Sequence, residues 1–228
     1  HFAAYGAATA GRDYNTVDMS DRMLWEVYLP PFKAASDEGV ATFMNAFNDL
    51  NGIPATASTY LQRDILKGKW NFPGFVVSDW GSIREMVTHG FAKNNYEAAK
   101  SAIRGGSDMD MESHAYIDHL PKLVKEGKVP ESLIDDAVRR ILRKKFELGL
   151  FDDPYRFSNE AREKKILNSD EKRKAAREVA EKSIVLLRNE NQLLPLSKNL
   201  KTVGVIGPLS KSNADMRGFR SVTWATWH

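Results

Sequence analysis

Apolar and polar positions alternate with a period that changes repeatedly along the first two thirds of the chain. Residues 39–47 (GVATFMNAF) form a short, nearly continuous apolar run, which predicts a buried strand. Over 60–70, Leu61, Ile65, Leu66 and Trp70 recur at helical spacing. Residues 72–78 (FPGFVVS) begin with a turn and enter a β-branched strand. Residues 96–104 predict a helix closed by Gly105, and 107–111 a short strand or strand end. Two further helices are predicted over 117–126 and 132–148, closed by Gly127 and Gly149.

Strands alternating with helices at this spacing imply parallel β-α-β units, in either an open doubly wound sheet or a barrel. Only three or four strands are legible, counting one that ends at His1, whereas an eight-fold barrel needs twice as many. The expectation is therefore an α/β chain that is incomplete as given. The rhythm changes after residue 152. Residues 152–165 are polar, contain Pro154 and read as a linker. Residues 169–188 predict a long helix on Ala176, Val179, Ala180, Ile184 and Leu187, and 189–195 a turn. Residues 202–207 (TVGVIG) read as the first strand of a second domain.

Composition narrows the function classes. The 228 residues are 42% hydrophobic and 28% charged, as in ordinary globular proteins. A net charge of only +3 gives no reason to expect nucleic acid or an anionic membrane as partner. The basic residues Arg139, Arg140, Arg143, Lys144 and Lys145 interleave with apolar ones at helical spacing, which marks the solvated face of an amphipathic helix. Cysteine is absent, which removes disulfide and thiolate chemistry. No segment is long and apolar enough to span a bilayer, and no signal peptide is visible.

Polar residues at the C-terminal ends of parallel strands are where such folds build sites. Four places qualify: His1, the segment Met44-Asn45-Ala46-Phe47-Asn48, Asp79, and Asp108 to Glu112. Asp79 follows an apolar strand and precedes Trp80-Gly81. A carboxylate beside a large aromatic face suits a sugar, which presents an anomeric carbon and a C–H face. A helix cap for the helix starting near Ser82 is the competing role. Asp108, Asp110 and Glu112 read as solvated carboxylates at a strand end, ahead of a metal or acid/base site. His89, His114, His119 and His228 lack metal-ligand spacing such as HExxH, and there is no GxSxG, P-loop or GxGxxG.

Several segments together carry a family resemblance. They are His1-Phe2, 14–20 (YNTVDMS), 29–32 (LPPF), 43–48 (FMNAFN) with Asn51-Gly52, 74–80 (GFVVSDW) and 106–111 (GSDMDM). To these add 148–155 (LGLFDDPY), 180–189 (AEKSIVLLRN) and 193–196 (LLPL). The chain closely resembles glycoside hydrolase family 3 in its β-glucosidase branch, over nearly all residues up to about Gly207.

The resemblance implies the C-terminal portion of a (β/α)8 TIM-like barrel over 1–152, an inter-domain linker and helix over 153–198, and the start of an α/β sandwich over 199–228. It implies a retaining β-glycosidase that removes terminal β-D-glucosyl residues, with Asp79 as nucleophile, no cofactor and no metal. His1 would hydrogen-bond sugar hydroxyls as half of a Lys-His pair, Met44 and Phe47 would line the pocket, and Trp80 would wall the leaving-group side. Phe47 stands where some relatives carry Tyr. The Lys partner, the earlier strands and the general acid/base Glu lie outside this sequence, and 215–228 (DMRGFRSVTWATWH) departs from the family pattern. Ala3-Ala4-Tyr5-Gly6 replaces the PGHG-like run of the N-acetylglucosaminidase branch. The implied partners are a β-linked glucoside or oligosaccharide, and a second copy or the missing remainder of the enzyme; a periplasmic or secreted location is favoured. The alternatives are a non-catalytic fragment, a β-xylosidase of the same family, or an unrelated metal-dependent barrel hydrolase.

Overall fold

The computed structural model describes residues 1–167 and 169–212. The chain divides into two compact units, His1–Asn159 and Glu160 onward. In the first unit, short helical turns at Asp21–Met23 and Leu24–Tyr28 run into α1 (Pro30–Asp37). Strand β1 (Thr42–Met44) and the two-residue strands β2 (Asp49–Leu50) and β3 (Ile53–Pro54) follow. Then come α2 (Tyr60–Lys69), β4 (Phe75–Val77), α3 (Ser82–Thr88), α4 (Asn95–Gly105), α5 (Ala115–Lys125) and α6 (Glu131–Glu147).

The fold is α/β, and its parallel strands are adjacent in chain order. β1 pairs with β4 in parallel, Phe43 opposite Val76. Phe2 bridges Asn45 on one side of this pair and Met109 bridges Val77 on the other, both parallel. The bonds Phe2 N–H to Met44 O (2.7 Å), Asn45 N–H to Val77 O (3.0 Å) and Ser78 N–H to Met109 O (2.8 Å) stitch the four segments together. The strand expected over 39–47 is thus shorter, because Gly39 with φ of 79° and the Val40-to-Ala35 bond still belong to the exit from α1. Asn51 and Gly52, at φ of 51° and 83°, form the tight turn joining β2 to β3, a geometry in which Asn-Gly is favoured.

Two apolar clusters flank the strands. Phe2, Leu24, Leu29, Phe43, Leu61, Ile65, Phe72 and Val76 form one; Ile83, Met86, Ala99, Ile103, Leu123 and Ala137 form the other. Helix α2 is wide-wound, and its exit bond runs from Trp70 N–H back five residues to Ile65 O at 3.0 Å. Helix α4 runs one residue past the expected end. Gly105 remains helical, where an added Cβ would lie 2.6 Å from the Ala57 backbone, and Gly106 at φ of 114° takes the closing left-handed position.

The second unit contains α7 (Glu160–Ile166) and α8 (Asp170–Ser183). The stretch 152–165, read as a linker, therefore runs into a helix from Glu160. Helix α8 stops at Ser183, five residues short of expectation, where the β-branched pair Ile184-Val185 turns extended. Residues 202–207 form no strand among the described residues, and Val203, Val205 and Ile206 are exposed. A strand needs a neighbour to satisfy its N–H and C=O groups, and the described part of this unit supplies none. The segment 215–228, singled out for its composition, lies outside the described residues.

Candidate active site

The parallel arrangement brings the polar residues after β1, after β4 and before Phe2 to one edge. His1 Nε2 lies 2.7 Å from Asp79 Oδ2, joining residues 78 apart in sequence. Asp79 Oδ1 accepts from the Trp80 N–H at 2.7 Å. Each carboxylate oxygen thus has a donor. Asp79 is 4% exposed, while the His1 side chain is 46% exposed, so the pair opens to solvent on the His1 side. Its side chain does not cap a helix: α3 has Gly81 as its N-cap with no side-chain cap bond, and Ser82 N–H donates to the Asp79 main-chain oxygen at 3.1 Å. The competing capping role of Asp79 is thereby corrected.

The ground under Asp79 is a polar network that the sequence did not reveal. Asn45 is fully buried; its Nδ2 donates to Ser107 Oγ at 2.7 Å and its Oδ1 accepts from Thr56 Oγ1 at 3.0 Å. The same Oδ1 lies 3.4 Å from both the Asp79 N and Ser82 Oγ. Ser107 Oγ faces Thr56 O at 2.9 Å and Gln62 Oε1 at 3.1 Å. One carboxamide thus ties the ends of three parallel segments to the start of α3. Buried groups in such numbers are tolerated because they satisfy one another. Asn45 and Ser107 stood within segments already marked as strand ends; Thr56 and Gln62 carried no comparable signal.

Trp80 is 59% exposed, the largest apolar surface adjoining Asp79 in sequence. Met44 ends β1, half-buried, with its carbonyl accepting from Phe2 N–H. Phe47 is 6% exposed and meets Tyr14 edge-on at 4.5 Å, while Tyr5 stands between Phe47 (6.4 Å) and His1 (5.5 Å). Burial, aided by the neighbouring Asp13, raises the Tyr5 hydroxyl well above its ordinary value.

The acidic run after residue 107 is not a set of solvated carboxylates. Asp108 accepts from Lys67 Nζ at 2.6 Å and from Val76 N–H at 2.8 Å, with side chains only 2% and 6% exposed for Asp108 and Lys67. Asp110 accepts from Ser113 and from Tyr116 N–H, and Glu112 pairs with Arg84 at 2.8 Å. Each carboxylate is claimed by a different partner, because the chain turns sharply between them and Glu112 and His114 take positive φ. Among the described residues no group of three or more His, Cys, Asp and Glu is arranged to hold a metal. No helix among them is long and apolar enough to cross a membrane.

Beside Phe47, on the side away from His1 in the chain of ring contacts, lies a cleft of about 430 Å³ lined by Tyr14, Asp49, His89 and Phe91 among others. Asp79 is not part of its wall. Glu85 Oε2 is buried without a hydrogen-bond partner, 4.0 Å from His89 Nε2, and burial raises the Glu85 carboxyl above its ordinary range.

Comparison with known proteins bears on this geometry. The family model described as "Glycosyl hydrolase family 3 N terminal domain" matches residues 1–144. The chain is 44% identical over 221 residues to a periplasmic β-glucosidase of Salmonella typhimurium, covering 96% of this chain and 29% of that protein. It is 37% identical over 216 residues to a putative β-xylosidase of Formosa agariphila, covering 93% and 28%. Among solved structures, a β-glucosidase from Listeria innocua in complex with glucose superposes with a TM-score of 0.72 at 48% identity, over 86% of this chain and 27% of that one. The chain spans less than a third of the length of these relatives.

Proposed function

Because the chain belongs to glycoside hydrolase family 3, we propose that it carries the nucleophile half of a retaining β-glucosidase, with Asp79 as the nucleophile. The observation that carries this reading is the 2.7 Å contact between His1 and a buried strand-end Asp79 that caps no helix. The succession of four parallel segments from Phe2 to Met109 supports reading residues 1–152 as the C-terminal portion of a (β/α)8 barrel, followed by the linker and helix over 153–198 and the start of a sandwich domain at 199.

In this reading an Asp79 oxygen attacks the anomeric carbon as the glycosidic C–O bond breaks, giving a glycosyl ester. A second carboxyl group, about 5–5.5 Å away, protonates the leaving oxygen and later takes a proton from the water that hydrolyses the ester. In this reading that group is not one of the site residues assigned to this chain, and hydrolysis is expected only where such a group is present. The fixed donors on Asp79 serve the first step: His1 and the Trp80 N–H orient the carboxylate before substrate arrives, which lowers the reorganisation needed at the moment of attack. His1 also offers a donor to sugar hydroxyls, Met44 and Phe47 line the pocket, and Trp80 stands at the leaving group. Phe47 supplies ring surface without a hydroxyl. The substrate is a β-linked glucoside or oligosaccharide. Likeness to a periplasmic protein favours a periplasmic or secreted location.

The test is Asp79→Ala in the longer enzyme, where turnover should fall by several orders of magnitude with folding intact. A fluorosugar trap should label Asp79; labelling of another carboxylate, or near-normal turnover by the variant, would refute the assignment. Likeness to β-xylosidases favours one competing reading. Specificity constants for aryl β-glucoside and aryl β-xyloside decide between them, the glucoside being expected to lead.

A further inference from the structure

We propose that Tyr5 and Asp13 are positioning residues of the site, a prop that holds the His1 imidazole against Asp79. The inference rests on the reading of Asp79 as nucleophile with His1 as its donor, and extends it to two residues that act through His1.

The first argument is what His1 lacks by itself. His1 reaches Asp79 Oδ2 through Nε2 at 2.7 Å, yet its own side chain is exposed. An exposed imidazole keeps rotamer freedom, which is lost each time the productive contact forms. A neighbour packed on the ring removes that freedom in advance, which is how supporting residues make a site precise. Tyr5 is such a neighbour: its ring lies 5.5 Å from the His1 ring, tilted by 50°.

The second argument is that Tyr5 is itself fixed. Its hydroxyl donates to Asp13 Oδ1, and burial together with that carboxylate raises the hydroxyl well above its ordinary value, so it stays a donor. The same Oδ1 accepts from the Tyr14 N–H at 3.1 Å. The Tyr14 and Tyr5 rings both pack on Phe47, at 4.5 Å and 6.4 Å. One carboxylate oxygen therefore sets two rings that share a neighbour at the site. The segment carrying Asp13 is closed on itself by Thr9 N–H to Thr16 O at 3.0 Å and by Asn15 Nδ2 to Thr9 O at 3.1 Å. It joins the fold where the Thr16 hydroxyl donates to the Asp49 carboxylate and the Val17 N–H to Asp49 O at 3.0 Å. The route from Asp13 through Tyr5 and His1 to Asp79 thus starts on an anchored loop and ends on the carboxylate that attacks. Asp13 is exposed, which sets the expected effect at a few-fold and not at orders of magnitude.

A role exercised through His1 must vanish when His1 is gone, whereas a role in loop stability must not. The test measures kcat/KM on an aryl β-glucoside, with melting temperatures, for Tyr5→Phe, Asp13→Ala and Asp13→Asn in the longer enzyme, each alone and combined with His1→Ala. Tyr5→Phe keeps the ring and removes only the hydroxyl. With His1 present, Tyr5→Phe and Asp13→Ala should each lower kcat/KM about fivefold, the equivalent of one lost hydrogen bond. Asp13→Asn keeps an acceptor oxygen and should recover most of the Asp13→Ala loss. In the His1→Ala background the same changes should stay within about twofold. Equal losses in both backgrounds overturn the proposal and assign the two residues to loop stability. A loss below about twofold in Tyr5→Phe and Asp13→Ala with His1 present also overturns it. If His1→Ala alone keeps near-normal kcat/KM, His1 has no part in the site and the proposal falls with it. The nucleophile assignment is read separately, from Asp79→Ala.

Discussion

The buried pair between Lys67 and Asp108 offers a demanding test of how the strand ends are held. Lys67 on α2 reaches Asp108, beside β4, and also donates to Gly106 O at 2.8 Å. Asp108 in turn accepts from Val76 N–H at 2.8 Å in the middle of β4. Burial lowers the Lys67 ammonium below its ordinary range even against the pull of Asp108. The like charges of Arg140 and Arg63 act in the same direction as burial, so the pair carries a desolvation cost that its mutual attraction must offset. Asp108→Ala strands a buried cation, which costs about 3–5 kcal/mol. It also leaves the Val76 N–H without an acceptor, a further cost of about 1–3 kcal/mol, not fully additive. Lys67→Met with Asp108→Ala removes the stranded cation and should recover at least about 2 kcal/mol of that loss. Asp108→Asn keeps an acceptor for Val76 and should lose about 1 kcal/mol less than the alanine variant. Urea unfolding of these proteins and the Lys67→Met single variant gives the comparison. Additivity within about 0.5 kcal/mol in the Lys67–Asp108 cycle would refute the reasoning, since it would mean the two side chains do not share a buried charge.

Two further outcomes follow from groups nearer the site. Burial raises the Glu85 carboxyl, so over the window just above 4.5 the folded chain holds a proton that the unfolded chain has released, and stability falls as pH rises through it. Glu85→Gln should therefore raise the melting temperature at pH 7, with the gain vanishing below about pH 4, where both states are protonated; a gain equal at both pH values would assign it to packing alone. Trp80, being 59% exposed, has little packing to lose. Trp80→Ala should leave the melting temperature within a degree or two and raise KM for disaccharides more than for aryl glucosides. Equal losses on both substrates with a lowered midpoint would tie Trp80 to the rim of the fold.

Much was determined by the sequence by itself, and for local reasons. Period and closing glycines carried helices α4, α5 and α6 to within a residue or two of their observed bounds, because amphipathic spacing and left-handed termini are properties of adjacent residues. Four strand-end segments were legible, and with them Asp79, Trp80, Met44, Phe47 and His1 as candidates. The motifs around them were enough to indicate the family, to which the chain belongs. What the tertiary structure decided was who faces whom. Periodicity cannot pair His1 with Asp79 across 78 positions, nor seat Asn45 under three strand ends. It left the Asp79 carboxylate balanced between capping and chemistry, whereas the observed N-cap is Gly81 and the carboxylate is held by His1 and the Trp80 amide. It read Asp108 as solvated because alternation with Met109 looked like a strand edge, whereas Lys67, arriving from α2, buries it. And it read 202–207 as a strand from β-branched content alone. Strand formation needs a partner edge supplied by another segment, so composition states a propensity and only neighbours turn it into structure.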